Sequence, residues 1–154
     1  MITRRLLILG PASATVLAGC STSGLFDLGG SAHGSKVVTR EALGPVNRLR
    51  REYGLSGLSA DRTLGVASRE HAEYMARKGH MSHDRFARRV KKHGIALPAA
   101  ENVAEGQDDV DEMFQAFVRS PKHKKNMLGD FEKLGVGVAW NADNRGFWVM
   151  GLSG

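Results

Sequence analysis

The stretch GVGVAWNADNRGFWVMGL, residues 135–152, decides the fold because it predicts two β-strands joined by a turn. Apolar residues, many of them β-branched or aromatic, fill GVGVAW (135–140) and FWVMGL (147–152), and a segment rich in Asn and Asp separates them. Apolar runs bounded by turn residues in this way are typical of an antiparallel hairpin. Helical patterns precede the hairpin, so we expect an α+β domain with helices packed on an antiparallel sheet.

The spacing of apolar residues predicts five helices before the hairpin. They are expected from Pro45 to about Tyr53, from Asp61 to Lys78, from about Asp84 to His93, over residues 108–120, and from Ser120 onward. Pro45 is placed in the first turn of its helix, where its missing N–H costs nothing. The segment AAENVAEG (99–106) is compatible with a strand or an extended loop.

The first twenty residues have the pattern of an export signal. Two arginines precede the apolar run LLILGPASATVLAG (6–19), which is too short for a stable membrane span. LAGC (17–20) resembles a bacterial lipobox, and the resemblance implies cleavage before Cys20 and lipid on that residue, which gives a lasting anchor. The alternative is an ordinary signal peptide with a chance cysteine. TRRLLI (3–8) also resembles a twin-arginine export signal. Ser21, rather than Asp, follows the cysteine, which in bacteria with two membranes resembles a signal for outer-membrane sorting.

These signals divide the chain into three expected parts. Residues 1–19 are a lipoprotein signal peptide, residues 20–38 a lipidated, flexible tether rich in Gly and Ser, and residues 39–154 a folded domain. Cys20 is the single cysteine, so the domain is expected to hold by its core without disulfides. Loss of the two signal-peptide arginines lowers the formal net charge from +6 to +4. This mildly basic balance suits an anionic envelope surface and argues against a nucleic-acid partner.

Three residues that lie far apart in the sequence are candidates for a polar site. His83 follows the second helix, Glu101 lies among apolar neighbours, and His123 lies in SPKHKKNML (120–128). Helical spacing places His123 on the same face as Met127 and turns the neighbouring lysines toward solvent. Two histidines and a carboxylate could form an open zinc site, an acid–base cluster, or purely structural hydrogen bonds. Spacing alone leaves these alternatives open.

Two other polar residues are given structural roles. His71 lies on the apolar stripe of the second helix, and we interpret it as a hydrogen-bonded core residue rather than a ligand. Asp84 is expected to cap the third helix, because Asp is a favoured residue at helix N-caps.

Several motifs together resemble the CAP superfamily, also called SCP-like or cysteine-rich secretory, antigen 5 and pathogenesis-related-1 proteins. In order, they are VNRLRREYGLSGLSAD (46–61), LGVASREHAEYMA (64–76), SH (82–83), AENVAEG (100–106), SPKHKKNML (120–128) and GVGVAW (135–140). The resemblance covers residues 39–154 and is closest to short bacterial members. It implies an α-β-α sandwich, in which helices flank a central antiparallel sheet.

The resemblance also implies a shallow cleft lined by a His/Glu/Glu/His tetrad. His83, Glu101 and His123 match three of its members. The fourth, a glutamate, has no counterpart, because Ser120 stands at its position and Phe117 replaces the tryptophan that precedes it in many relatives. Ala100 also replaces the glycine of the family's GEN motif.

The family has been linked to divalent metals, to sterols or fatty acids, and to proteolysis. We expect a monomeric, lipid-anchored protein on the periplasmic side of the outer membrane that acts as a binding or interaction module. Its cleft would take zinc, another divalent cation or a small apolar ligand. Its partners would be the membrane, through Cys20, and an anionic envelope polymer, a lipid or a protein. The alternatives are a metal-assisted hydrolase of peptides or cell wall, with Glu101 as general base, and a purely structural domain.

Overall fold

The computed structural model describes residues 34–154, so the predicted signal peptide, Cys20 and most of the predicted tether lie outside the described residues. The elements are β1 (Ser35–Val37), α1 (Thr39–Glu52), β2 (Ser59–Ala60), α2 (Arg62–Lys78), α3 (Phe86–His93), β3 (Ala99–Glu105), α4 (Val110–Arg119), α5 (Pro121–Met127), β4 (Lys133–Trp140) and β5 (Gly146–Ser153). The predicted α+β class is confirmed, and the AAENVAEG segment forms a strand. No helix in this part of the chain combines the length and apolar character needed to span a bilayer.

The predicted hairpin forms the centre of the sheet. β4 and β5 pair antiparallel with Val136 opposite Met150, and the strand order is β1-β4-β5-β3. β1 and β3 are also antiparallel to their neighbours, whereas the two-residue β2 lies parallel to β4. β3 is therefore an edge strand, and loops and helices that lie beside this edge can contact its side chains.

Helices cover both faces of the sheet, which confirms the predicted α-β-α sandwich. On one face, alternate residues of the hairpin such as Val136 and Met150 pack in a buried cluster with α1 and α4. On the other face, Phe147 and Val149 pack against α2. Successive strand residues point to opposite faces, so one hairpin serves both cores.

Glycines bring α2 unusually close to the sheet. A Cβ atom at Gly135 would overlap the backbone of Leu64 and Gly65, and a Cβ atom at Gly137 would overlap the backbone of Arg69. Both glycines lie on the face of β4 that α2 covers. The helix therefore packs backbone against backbone, which a larger residue at either position would prevent.

The predicted limits of the tether and of the first helix are wrong. Residues 35–37, predicted as tether, form β1 and pair with β4, because their backbone groups complete the hydrogen bonds of that strand. α1 begins at Thr39, so Pro45 lies inside the helix rather than in its first turn. The buried face of Ala42 and Val46 holds the helix in place despite the hydrogen bond that Pro45 cannot make.

The start of the third helix also differs from the prediction. Arg85 has a φ of 55°, outside the right-handed helical region, and α3 begins only at Phe86. Asp84 does not cap the helix with its side chain. Its carboxylate instead accepts a hydrogen bond from the Tyr74 hydroxyl at 2.9 Å.

Candidate functional site

The site is built around the carboxylate of Glu101. Glu101 lies on β3 opposite Gly151, and its side chain is only 4% exposed. Arg89 binds it with two hydrogen bonds, from Nη1 to Oε2 at 2.7 Å and from Nη2 to Oε1 at 3.0 Å. The Nε of Arg89 donates to the Asp84 carbonyl at 3.0 Å, which fixes the guanidinium plane. This is the bidentate arginine–carboxylate geometry, and it gives Glu101 a fixed cationic partner.

His83 is the second group bound to Glu101. His83 lies on the loop between α2 and α3, and its Nδ1 is 3.0 Å from Oε1 of the carboxylate. Because a carboxylate accepts hydrogen bonds, Nδ1 is the donor, and Nε2 is the unprotonated nitrogen of the neutral ring. The His83 side chain is 56% exposed. The pair therefore presents an oriented imidazole that can accept a hydrogen bond or a proton.

His71 lies behind the carboxylate, and the prediction of a core histidine is confirmed. It is 1% exposed, and its Nε2 donates to the Ser82 carbonyl at 2.7 Å. Oε1 of Glu101 is 3.8 Å from the same nitrogen, beyond hydrogen-bonding distance. Burial lowers the pKa of His71, and the nearby Glu101 carboxylate and Ser82 carbonyl oppose only part of that effect.

His123 reaches the site from α5. Its ring packs edge-on against Phe117 with 5.0 Å between centroids, and burial, followed by the charge of His83, lowers its pKa. Within residues 34–154 its ring makes no hydrogen bond to Glu101. The structure therefore joins His83 and Glu101 directly, whereas the His123 ring is hydrogen-bonded to neither of them in this part of the chain.

Asn102 attaches α5 to β3. It is fully buried on the face of the strand opposite to Glu101, and its Nδ2 donates to the His123 carbonyl at 3.0 Å. Its Oδ1 accepts from Asn126 at 2.8 Å. Adjacent residues of one edge strand thus fix both sides of the site: Glu101 holds α3, and Asn102 holds the helix that carries His123.

The predicted metal ligands do not fit a divalent ion in this arrangement. Both oxygens of Glu101 are already hydrogen-bonded, and a guanidinium nitrogen lies 2.7 Å from one of them. A cation at the carboxylate would face this fixed positive charge at close range. Among residues 34–154, no group of three His, Cys, Asp or Glu side chains has a geometry that could hold a metal ion.

A cavity that neither His83 nor His123 lines lies beside Glu101, and it is too small for the apolar ligand that the family resemblance implied. It measures about 20 Å³ and is lined by residues of α2, α3 and β3, including Leu64, Phe86 and Val90. That volume fits about one water molecule, whereas small-molecule pockets usually measure a few hundred Å³. A sterol or fatty acid would need another position.

The environment of SPKHKKNML agrees with the helical interpretation except at one lysine. Pro121 begins α5, and Met127 is fully buried on its inner face. Lys122 and Lys125 are exposed, as predicted. Lys124 instead lies over the ring of Tyr53, with 4.9 Å between Nζ and the ring centroid, because the aromatic face attracts its charge.

Arg89 is the residue of this site that sequence analysis missed. A signal was present, because Phe86, Arg89 and Val90 follow an i, i+3, i+4 pattern that places the arginine on the inward face of a short helix. An arginine on an apolar face needs an acidic partner. The next acid along the chain after Arg89 is Glu101.

Two histidines whose pKa values are lowered by burial predict a loss of stability in acid. Since burial lowers the pKa of His71 and His123 below the usual 6.5, the unfolded chain binds more protons than the folded chain once the pH falls to about that value. Stability is then complete above about pH 6.5 and decreases as the pH falls toward the folded-state pKa values. We expect Tm to be lower near pH 5 than near pH 7.5 in thermal melts. His71→Gln should reduce this difference, and a Tm that rises on acidification would contradict the assignment.

Comparison with known sequences identifies a family and a relative. The profile of the cysteine-rich secretory protein family, CAP, matches residues 43–152. A curated relative, the uncharacterized protein YkwD of Bacillus subtilis (strain 168), is 32% identical over 114 residues. The match covers 70% of this chain and 42% of YkwD, so the chain spans less than half the length of this relative.

Solved structures give matches with the same fold. An extracellular protein containing an SCP domain from Bacillus anthracis str. Ames has a TM-score of 0.66 and 23% identity, over 75% of this chain and 39% of that chain. An outer surface protein from Borrelia burgdorferi has a TM-score of 0.66 and 21% identity, over 77% of this chain and 97% of that chain. The CAP domain of enterococcal PrgA has a TM-score of 0.53 and 18% identity, over 75% of this chain and 59% of that chain. At these identities the likeness concerns the fold alone.

Proposed function

The chain belongs to the cysteine-rich secretory protein (CAP) family, and from that premise we propose that it is a binding module of the bacterial cell envelope. The observation that carries this proposal is the state of Glu101, whose two oxygens are held by Arg89 and His83. A general base must be free to accept a proton from a bound water or substrate. An acid that is 4% exposed and bound by a guanidinium is better suited to orienting His83 than to hydrolysis.

The proposed location is the periplasmic side of the outer membrane, with a monomer anchored through lipid on Cys20. The LAGC sequence supports lipid attachment, and Ser21 supports outer-membrane sorting. The similar structures from Bacillus anthracis and Borrelia burgdorferi are of an extracellular and an outer surface protein, which supports export of this chain as well.

The proposed partner is an anionic lipid surface. Five cations on α3, its N-cap and α5 are exposed and take part in none of the ion pairs within residues 34–154: Arg85, Arg88, Lys91, Lys122 and Lys125. α3 holds Glu101 through Arg89, and α5 carries His123, so these cations flank the site. Each Lys or Arg close to an anionic membrane contributes about 1 kcal/mol to binding.

Vesicle binding tests this proposal. The protein would carry Cys20→Ser, so that binding reports the folded domain rather than the predicted lipid. We expect the protein to co-sediment with vesicles that contain phosphatidylglycerol and to dissociate from them in high salt. It should not bind vesicles of pure phosphatidylcholine. Reversing Arg85, Arg88 and Lys91 to Glu should weaken binding by about 3 kcal/mol or more, roughly a hundredfold.

A matched control separates local from global charge. Arg48, Arg51 and Arg62 are also exposed, and reversing them to Glu changes the net charge by the same amount. We expect a much smaller loss of binding than with the α3 variant. Equal losses in the two variants, or equal binding to neutral vesicles, would contradict the proposal. Turnover of peptide or cell-wall substrates that disappears in Glu101→Gln would instead favour the hydrolase.

A further inference from the structure

We propose that Arg89 is the resident cation of this site, because it binds the Glu101 carboxylate that a metal ion would need as a ligand. In this arrangement Arg89 blocks metal binding at Glu101 and positions that carboxylate to orient His83. The inference concerns the internal organisation of the site and does not depend on the lipid partner. It is carried by the two short hydrogen bonds that join the guanidinium to both carboxylate oxygens.

Three contacts fix the guanidinium in this position. Its Nη atoms bind Glu101, its Nε donates to the Asp84 carbonyl, and its Cζ lies 5.6 Å from the ring centroid of Phe86 on the same helix. The Arg89 side chain is 19% exposed. The guanidinium is planar and permanently charged, and it must break several interactions at once to leave the carboxylate.

The pairing removes Glu101 from the set of available metal ligands. Open zinc sites usually use three protein ligands, and of the three predicted ligands only the imidazoles of His83 and His123 remain without Glu101. The positive charge of Arg89 adds electrostatic repulsion to the loss of a ligand. Both effects have the same origin, so removing Arg89 should reverse both. It should also release Glu101 and His83 from their present positions, in which no three such side chains of residues 34–154 could hold a metal ion.

Arg89 also determines which nitrogen of His83 is free. The carboxylate accepts from His83 Nδ1 through Oε1, the same oxygen that Nη2 of Arg89 binds. His71, at 3.8 Å, makes no hydrogen bond to Glu101 and cannot replace Arg89 in holding it. Arg89 is therefore a positioning residue that acts on His83 through Glu101.

Zinc titration of the full chain carrying Cys20→Ser tests the first part of the inference. Isothermal calorimetry compares the parent protein with Arg89→Met, which keeps the aliphatic length but removes the charge and the hydrogen bonds. Arg88→Met is the matched control, because Arg88 is an exposed neighbour on the same helix. We expect at least tenfold tighter zinc binding in Arg89→Met than in the other two proteins. His83→Ala in the Arg89→Met background should abolish the gain.

The histidine ring nitrogens, observed by ¹⁵N NMR, test the second part. In the neutral form of the His83 ring, the parent protein and Arg88→Met should carry the proton on Nδ1, and Arg89→Met should show a mixture of tautomers. Arg89→Lys is the second variant, in case Arg89→Met fails to fold. Its charge should still exclude zinc. Its His83 Nδ1 signal should differ from that of the parent protein, because lysine cannot form the two parallel hydrogen bonds to Glu101. Tight zinc binding to the parent protein that depends on His83 and Glu101 would overturn the inference. An unchanged His83 signal in Arg89→Lys would overturn it as well.

Discussion

Gly137→Ala should destabilise the protein by about 3 kcal/mol or more. The added methyl group would overlap the backbone nitrogen and Cα of Arg69 and the carbonyl carbon of Ser68 in α2. Backbone atoms inside a packed helix cannot rotate away as a side chain can, so α2 must move off the sheet. α2 also carries His71 and packs on both central strands, so the loss should appear as a lower urea midpoint of the whole domain.

Gly44→Ala is the control for that substitution. A Cβ atom at Gly44 would meet only the end of the flexible Arg48 side chain, at 3.7 Å. Alanine favours the helix, whereas Pro45 after it crowds the added methyl group, and these effects oppose each other. We expect a change in the free energy of unfolding smaller than about 1 kcal/mol. Similar effects of the two substitutions would contradict the close packing of α2 on β4.

Arg50→Ala should cost about 3 to 5 kcal/mol, the second large effect. Arg50 is 3% exposed and donates hydrogen bonds to four carbonyls. Its Nε binds Ser56 at 2.8 Å, its Nη1 binds Met127 at 2.9 Å and Gly129 at 2.8 Å, and its Nη2 binds Phe131 at 3.3 Å. Truncation leaves these carbonyls without that donor and removes the link between α1 and the end of α5.

Denaturant unfolding of three variants checks this assignment. Arg50→Lys keeps a charge but cannot reach four carbonyls, so its loss should be intermediate. Arg51→Ala removes an exposed arginine of the same helix, and its effect should lie within about 0.5 kcal/mol. Because Met127 ends the helix that carries His123, the NMR signals of His123 should also shift in Arg50→Ala. If Arg50→Ala proved as mild as Arg51→Ala, Arg50 would not be the tie between these segments.

Local patterns predicted most of the fold. The hairpin of residues 135–152 followed from two apolar runs around a polar turn, and the predicted ends of the second and third helices, at Lys78 and His93, agree with the structure. The alternation of Gly135 and Gly137 also contained the signal for close packing of α2. That signal could not be interpreted without knowing which element covers that face of the strand.

The rest of the fold depended on contacts between distant segments. The strand at residues 35–37 exists because β4 offers it an edge, and its own sequence, SKV, gives little indication of this. Pro45 lies inside a helix because the buried face of α1 outweighs one missing hydrogen bond. In both cases tertiary packing overrides the local preference on which the prediction rested.

Three members of the candidate site were predictable, but Arg89 and the hydrogen bonds that join the side chains were not. Sequence context made His83, Glu101 and His123 candidates, family resemblance matched them to one cleft, and helical spacing gave the face of α5 on which His123 lies. The binding of Arg89 to Glu101 was not predicted, because it depends on how α3 folds back over the edge strand. That contact changes the chemistry expected of the site, since it occupies the one carboxylate on which both the metal and the hydrolase hypotheses relied.

Whether Arg89 or a metal ion occupies Glu101 can be decided by a crystal structure of the protein soaked in zinc, with anomalous data at the zinc edge. We expect Arg89 to keep both hydrogen bonds to Glu101, at the distances of 2.7 and 3.0 Å, with no anomalous peak at the carboxylate. A zinc peak coordinated by Glu101 together with His83 or His123, with Arg89 displaced, would contradict the assignment of Arg89 as the resident cation.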